Sequence, residues 1–151
     1  TSGLGKDNLK LTGCRVVGRY RQSMADHSTD DLVDVEVIVP LRTERASTLR
    51  VIAASLGADA GFSVDEIDDL RLAMSEVFSV LVATYPEHRA RVRFSIDEGA
   101  VITSIEPVEG DGGVELDELA TSILRSVVDE FSHVGTGLRL VKRATESASA
   151  N

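Results

Sequence analysis

The sequence predicts an α+β two-layer sandwich, a mixed, mostly antiparallel sheet with helices on one face. Two observations lead there. Apolar residues alternate with a period of two in some segments and recur at helical spacing in others. These segments follow one another as β-α-α-β-β-α-β-β, so helices come in a pair and strands in hairpins.

Taken in order, VDVEVIV (33–39) sets Val33, Val35, Val37 and Val39 on one face, the pattern of a half-buried strand. After Pro40, residues 42–56 carry Ala46, Leu49, Ile52, Ala53 and Leu56 at helical spacing, and Gly57 is expected to end that helix. Ser63 and Glu66 form a capping-box pattern that starts a second helix. Its stripe is Ile67, Leu70, Met74, Val77, Phe78 and Leu81, and Pro86 follows its end. ARVRFSID and AVITSIEPV read as strands joined by a Glu98-Gly99 turn. Beyond the loop EGDGG (109–113), a third helix is expected near 115–128, with Leu116, Leu119, Ile123 and Val127 inward. DEFSHV, a GTG turn and LRLVKRA close the chain as a hairpin.

The 151 residues fit one domain. At 42% hydrophobic but 4% aromatic, the core must be aliphatic. No apolar run approaches the ~18–20 residues of a membrane helix, and no charged-then-apolar stretch resembles a signal peptide. One cysteine, Cys14, forms no internal disulfide, which suits a cytoplasmic protein. His27, His88 and His133 are scattered, so no metal site is expected. Net charge is −9, spread unevenly: residues 1–23 carry five Lys/Arg against Asp7, leaving −13 on the rest. An acidic body speaks against nucleic acid as the main ligand and for a protein partner. By charge and glycine content, residues 1–23 are a tag, a fusion scar or a basic arm. They are followed by a leader (24–31), a domain (32–144) and a flexible tail (145–151).

The stretch SVDEIDDLRLAMSEV (63–77) carries a resemblance. With its Asp69-Leu70-Arg71-Leu72-Ala73 run, Ser75 and Glu76, and with VDE–F–GTGLRLVKR (128–143), the chain resembles the anti-sigma-factor serine kinases of the RsbW and SpoIIAB type. These belong to the GHKL, or histidine-kinase-like, ATPases, and the likeness spans about residues 32–143. It implies that fold, a role in transcription regulation and stress response, a homodimer, and a sigma factor and an anti-sigma antagonist as partners. It also implies that Glu76 is the base toward an attacking hydroxyl, with an Asn four residues on helping to hold Mg²⁺ on ATP. Here Val80 stands at that place and supplies no oxygen. The family's adenine-reading Asp-x-Gly is replaced by Glu106-Pro107-Val108, and the glycines at the head of its last helix fall on Glu118 and Ala120.

Two readings therefore stay open. Glu76 is either an active base or a helix acid at the rim of a vestigial pocket. Cofactor contacts, if any, would come from Glu106, Gly110, Gly135 and Gly137, the last two if Gly135-Thr136-Gly137 heads a helix instead of a hairpin. No cofactor is expected under the first function, an anti-sigma factor that sequesters sigma by surface contact. ATP and Mg²⁺ serve the alternative, an active kinase that phosphorylates the antagonist. Arg42, Arg45 and Arg50 are the candidate partner contacts, because in the resembled family an Arg on the first helix touches sigma and the antagonist. Arg91 and Arg93 read as a solvated strand face.

Overall fold

A computed structural model describes residues 10–11, 14–17, 33–110 and 112–146. Its strands are β1 (Lys10–Leu11), β2 (Cys14–Val17), β3 (Val35–Pro40), β4 (Arg89–Asp97), β5 (Ala100–Pro107), β6 (Glu130–Val134) and β7 (Gly137–Arg143). The helices are α1 (Ala46–Asp59), α2 (Val64–Thr84) and α3 (Glu118–Val127). From β3 onward the order is the expected one, and the architecture is the expected α+β sandwich. The sheet runs β1-β2-β3-β4-β5-β7-β6, and each neighbouring pair is antiparallel.

Period-two patterning becomes two chemically different faces. Val37 and Val39, Ala90, Val92 and Phe94, Val101 and Ile105, and Leu138 and Leu140 are buried under the helices. The register aligns Val37 with Val92, Val92 with Ile105 and Ile105 with Leu138, so the apolar rows run straight across the sheet. Leu49, Ala53 and Leu56 of α1, Leu70, Met74, Val77, Phe78 and Leu81 of α2, and Leu124 and Val127 of α3 complete the core. Glu98 and Gly99 both have positive φ (46° and 77°), the twist a two-residue hairpin needs.

Several boundaries differ from the sequence expectation. Residues 43–45 form a 3-10 turn and α1 begins at Ala46, so Arg42 and Arg45 precede the helix. Gly57 does not end α1 but lies inside it. A Cβ there would meet Phe62 at 3.0 Å and Ile67 at 3.2 Å, so this glycine permits close approach of the next segment. In α3 the inward residues are Ala120, Leu124 and Val127, while Leu119 is 70% exposed. Asp117 caps this helix, which begins at Glu118. Sequence periodicity does not predict β1 and β2. They nevertheless extend the sheet, with Cys14–Val17 alongside β3 in the register Val16 to Val37. The expectation of a flexible tail covers 145–151, of which 147–151 lie outside the described residues. Thr145, by contrast, is tied to Glu66.

Candidate functional site

The helix α2 carries the motif, and most of the motif is structural. Ser63 and Glu66 close the capping box: Glu66 N–H donates to Ser63 Oγ (3.2 Å) and Ser63 N–H donates to Glu66 Oε2 (2.8 Å). The other Glu66 oxygen accepts from the Thr145 backbone N–H (2.7 Å) and hydroxyl. Those donors, the Thr145 hydroxyl foremost, hold the Glu66 carboxyl down at about 2 from an ordinary 4.5. Asp69 takes the Lys142 ammonium of β7 at 3.2 Å, while Leu70 and Ala73 are fully buried. Ser75 Oγ donates to the Arg71 carbonyl (3.0 Å) and accepts from Arg50 Nη1 (3.2 Å). Arg50 thus lies on the seam between α1 and α2, one residue from Glu76.

Glu76 itself is half-buried and makes no hydrogen bond or ion pair among the described residues. One turn on, Val80 packs partly buried against the core. No oxygen ligand is offered from that position.

Residues after β5 do not gather around Glu76. Glu106 points to the sheet face away from the helices, where it lies 3.6 Å from Arg91 and 3.9 Å from Arg93. The neighbouring helix-facing side chain is Ile105, which is 1% exposed. Strand alternation puts the carboxylate one residue out of step with the side that faces the helices. Gly110 (φ 123°) packs on the Tyr85 ring, where a Cβ would lie 2.9 Å from the ring edge. The Tyr85 hydroxyl donates to the Gly112 carbonyl, and Gly113 O lies 3.4 Å away. Arg89 bonds Glu109 at 2.8 Å and thereby lowers its carboxyl pKa, and His133 Nε2 lies 2.9 Å from the Val114 carbonyl. The loop after β5 is strapped to the C-terminal end of α2 and to its flanking strands.

At the head of α3, Asp117 Oδ1 accepts from Ala120 N–H at 2.7 Å. The backbone donor that would greet an anion there is already taken by the chain's own carboxylate. Gly135 (φ 58°) lies in the β6–β7 turn and Gly137 opens β7. A Cβ at Gly137 would lie 2.2 Å from the Ile105 carbonyl, so close strand packing accounts for this glycine. The reading in which these glycines head a helix gives way to the hairpin. Arg42 is exposed, while Arg45 is half-buried with its Nε unpartnered among the described residues. Sequence reasoning missed Tyr85, Asp117 and Ile105. Only the Asp before a helical stripe had a readable signal, as a helix cap.

Among the described residues no group of three or more His, Cys, Asp or Glu could hold a metal ion. No helix among them is long and apolar enough to cross a membrane.

No protein-family model matches the chain. Among curated proteins, the serine-protein kinase RsbW of Bacillus subtilis is 26% identical over 114 residues, covering 72% of this chain and 71% of that protein. Its namesake from Bacillus licheniformis is 27% identical over 115 residues, with the same coverage of both chains. The two-layer architecture is consistent with the GHKL-like fold expected from residues 32–143. By sequence, the chain is similar to the RsbW serine-protein kinases, the resemblance that Asp69 to Glu76 first carried.

Proposed function

We propose that this protein is an anti-sigma regulatory factor that sequesters an alternative sigma subunit by surface contact, is countered by an anti-sigma antagonist, and has lost or impaired ATP binding. The observation that carries this reading is the pairing of Val80 with Glu76 on α2. A Mg²⁺-bound triphosphate finds no oxygen at the first position. Three further features support it: Glu106 faces the opposite side of the sheet, Asp117 fills the head of α3, and the loop after β5 is strapped to Tyr85. The residues present do not fit the nucleotide.

The partner contacts are assigned to Arg42, Arg45 and Arg50. Arg50 spends one donor on Ser75 and keeps others for a carboxylate of the sigma subunit. The protein works in the cytoplasm and without direct nucleic-acid contact. A homodimer remains part of the reading, but β3 is not its open edge, because Cys14–Val17 lies along it.

Calorimetry with Mg-ATP at millimolar concentration, followed by titration against the host's alternative sigma factors, tests this. The expected result is no ATP binding and tight sigma binding, weakened roughly thirtyfold in a folded Arg50→Ala variant. A thermal shift with ATP that disappears in Glu76→Ala would instead establish the second reading, an active serine kinase acting on the antagonist. That reading is favoured by the half-buried, unpartnered Glu76 and by the kinase names of the relatives.

A further inference from the structure

The three arginines assigned to the partner are not held alike. Neither Arg42 nor Arg45 makes a side-chain hydrogen bond or ion pair among the described residues. Arg50, half-buried on α1, makes one: its Nη1 donates to Ser75 Oγ of α2 at 3.2 Å. Ser75 Oγ in turn donates to the Arg71 carbonyl, one helical turn back, at 3.0 Å.

Chemistry fixes the direction of this relay. A hydroxyl has one proton, and the Arg71 carbonyl takes it, so Oγ meets Arg50 with a lone pair. A guanidinium only donates, so both ends of the contact agree. One χ1 setting of Ser75 makes both bonds, and leaving Arg50 also costs the bond to Arg71. The acceptor is also neutral. A carboxylate in the same place would hold Arg50 equally well, but it would cancel the charge and occupy the fork. The hydroxyl takes one N–H donor and leaves the charge whole. Acids along α2 do not substitute for Ser75. Asp68 pairs with Arg71 at 3.1 Å, Asp69 pairs with Lys142 at 3.2 Å, and Glu76 makes no ion pair among the described residues.

We infer that Ser75 is a positioning residue: it holds the Arg50 guanidinium, charge intact, at the seam between α1 and α2 for a carboxylate of the partner. The inference rests on the anti-sigma reading for the partner's identity, and it adds the residue that sets the geometry of that contact. An arginine ordered before the partner arrives loses less rotamer freedom on binding, which raises affinity by roughly three- to tenfold.

The test follows Arg50 in the full chain, first without a partner and then with one. By NMR, the Nε–H heteronuclear NOE of Arg50 is expected to lie well above that of exposed Arg42 in the parent, and to fall to the Arg42 level in Ser75→Ala. Titrated against purified alternative sigma factors of the host, Ser75→Ala is expected to bind about three- to tenfold more weakly than the parent. Ser75→Thr, which keeps the hydroxyl, is expected to stay close to the parent. In an Arg50→Ala background the same Ser75→Ala change is expected to do nothing, because it acts through Arg50. Alanine is the better helix former, so a loss in Ser75→Ala does not come from a weakened α2, and melting temperatures check this. An Arg50 signal as mobile in the parent as in Ser75→Ala overturns the inference. Sigma binding that falls in Arg50→Ala but not in Ser75→Ala overturns it too, while the anti-sigma reading stands. A Ser75→Ala loss that persists in the Arg50→Ala background makes Ser75 a direct contact and rejects the positioning role. A parent protein that binds no sigma factor overturns the anti-sigma reading and this role together, whatever the Arg50 signal shows.

Discussion

Two carboxylates on one helix have opposite surroundings. Glu66, in the first turn of α2, is 7% exposed and accepts from Ser63 and twice from Thr145. Glu76, ten residues on, is half-buried and accepts from nothing among the described residues. The acid nearer the core is the structural one, because every oxygen is satisfied and it ties the helix start to the chain beyond β7. The acid nearer solvent holds no part of the fold in place. A motif therefore does not assign its most conspicuous residue to chemistry, and hydrogen-bond satisfaction separates the two roles better than position does.

The largest expected effect comes from breaking the satisfied side. Glu66→Ala removes an acceptor shared by the α2 N-terminus and Thr145, and is expected to cost ~2–3 kcal/mol in urea unfolding. If that variant is as stable as the parent, the tie to Thr145 contributes nothing.

Acidification makes the same cut reversibly. Because folding lowers the Glu66 carboxyl from 4.5 to about 2, the unfolded chain binds the extra proton between those values. The stabilisation is complete above pH 4.5 and is lost as pH falls toward 2. The melting temperature of the parent is expected to drop more steeply across that window than that of Glu66→Gln. Parallel curves would show that the carboxylate does not titrate with folding.

Thr103 sharpens the comparison from the uncompensated side. Its side chain is fully buried on the helix-facing side of β5, and its hydroxyl has no hydrogen-bond partner among the described residues. Thr103→Val keeps the shape and removes the stranded oxygen, so a gain of ~1 kcal/mol is expected from thermal unfolding. A loss would mean that the hydroxyl is paired in solution.

At the other end of α2, Tyr85→Phe deletes the donor to the Gly112 carbonyl. It is expected to cost ~1 kcal/mol and to speed hydrogen exchange in residues 108–114. Unchanged exchange there would show that the ring packing on Gly110 holds the loop alone. The smallest effect belongs to Glu76→Gln, within ~0.5 kcal/mol of the parent, as for a residue without partners. A large destabilisation would make Glu76 structural after all.

The order of elements was legible because it depends on local periodicity. The valines of β3, the stripe of α2 and the Glu98-Gly99 turn each announce themselves within a few residues. The capping box of Ser63 and Glu66 was legible for the same reason, as was the absence of a metal-competent oxygen at Val80. Tertiary structure alone decided the rest. Gly57 ends a helix by propensity but continues one here, because Phe62 and Ile67 need its missing side chain. Glu106 and Ile105 are adjacent in sequence, yet the sheet sends them to opposite faces, and only the position of the helices says which face is covered. Glu66 becomes a buried, strongly acidic group through Thr145, a residue 79 positions away. The ion pairs of Arg93 with Glu36 and of Arg91 with Glu106 exist only because register sets β3, β4 and β5 side by side. Sequence carries what neighbours along the chain determine, and packing carries what distant residues determine together.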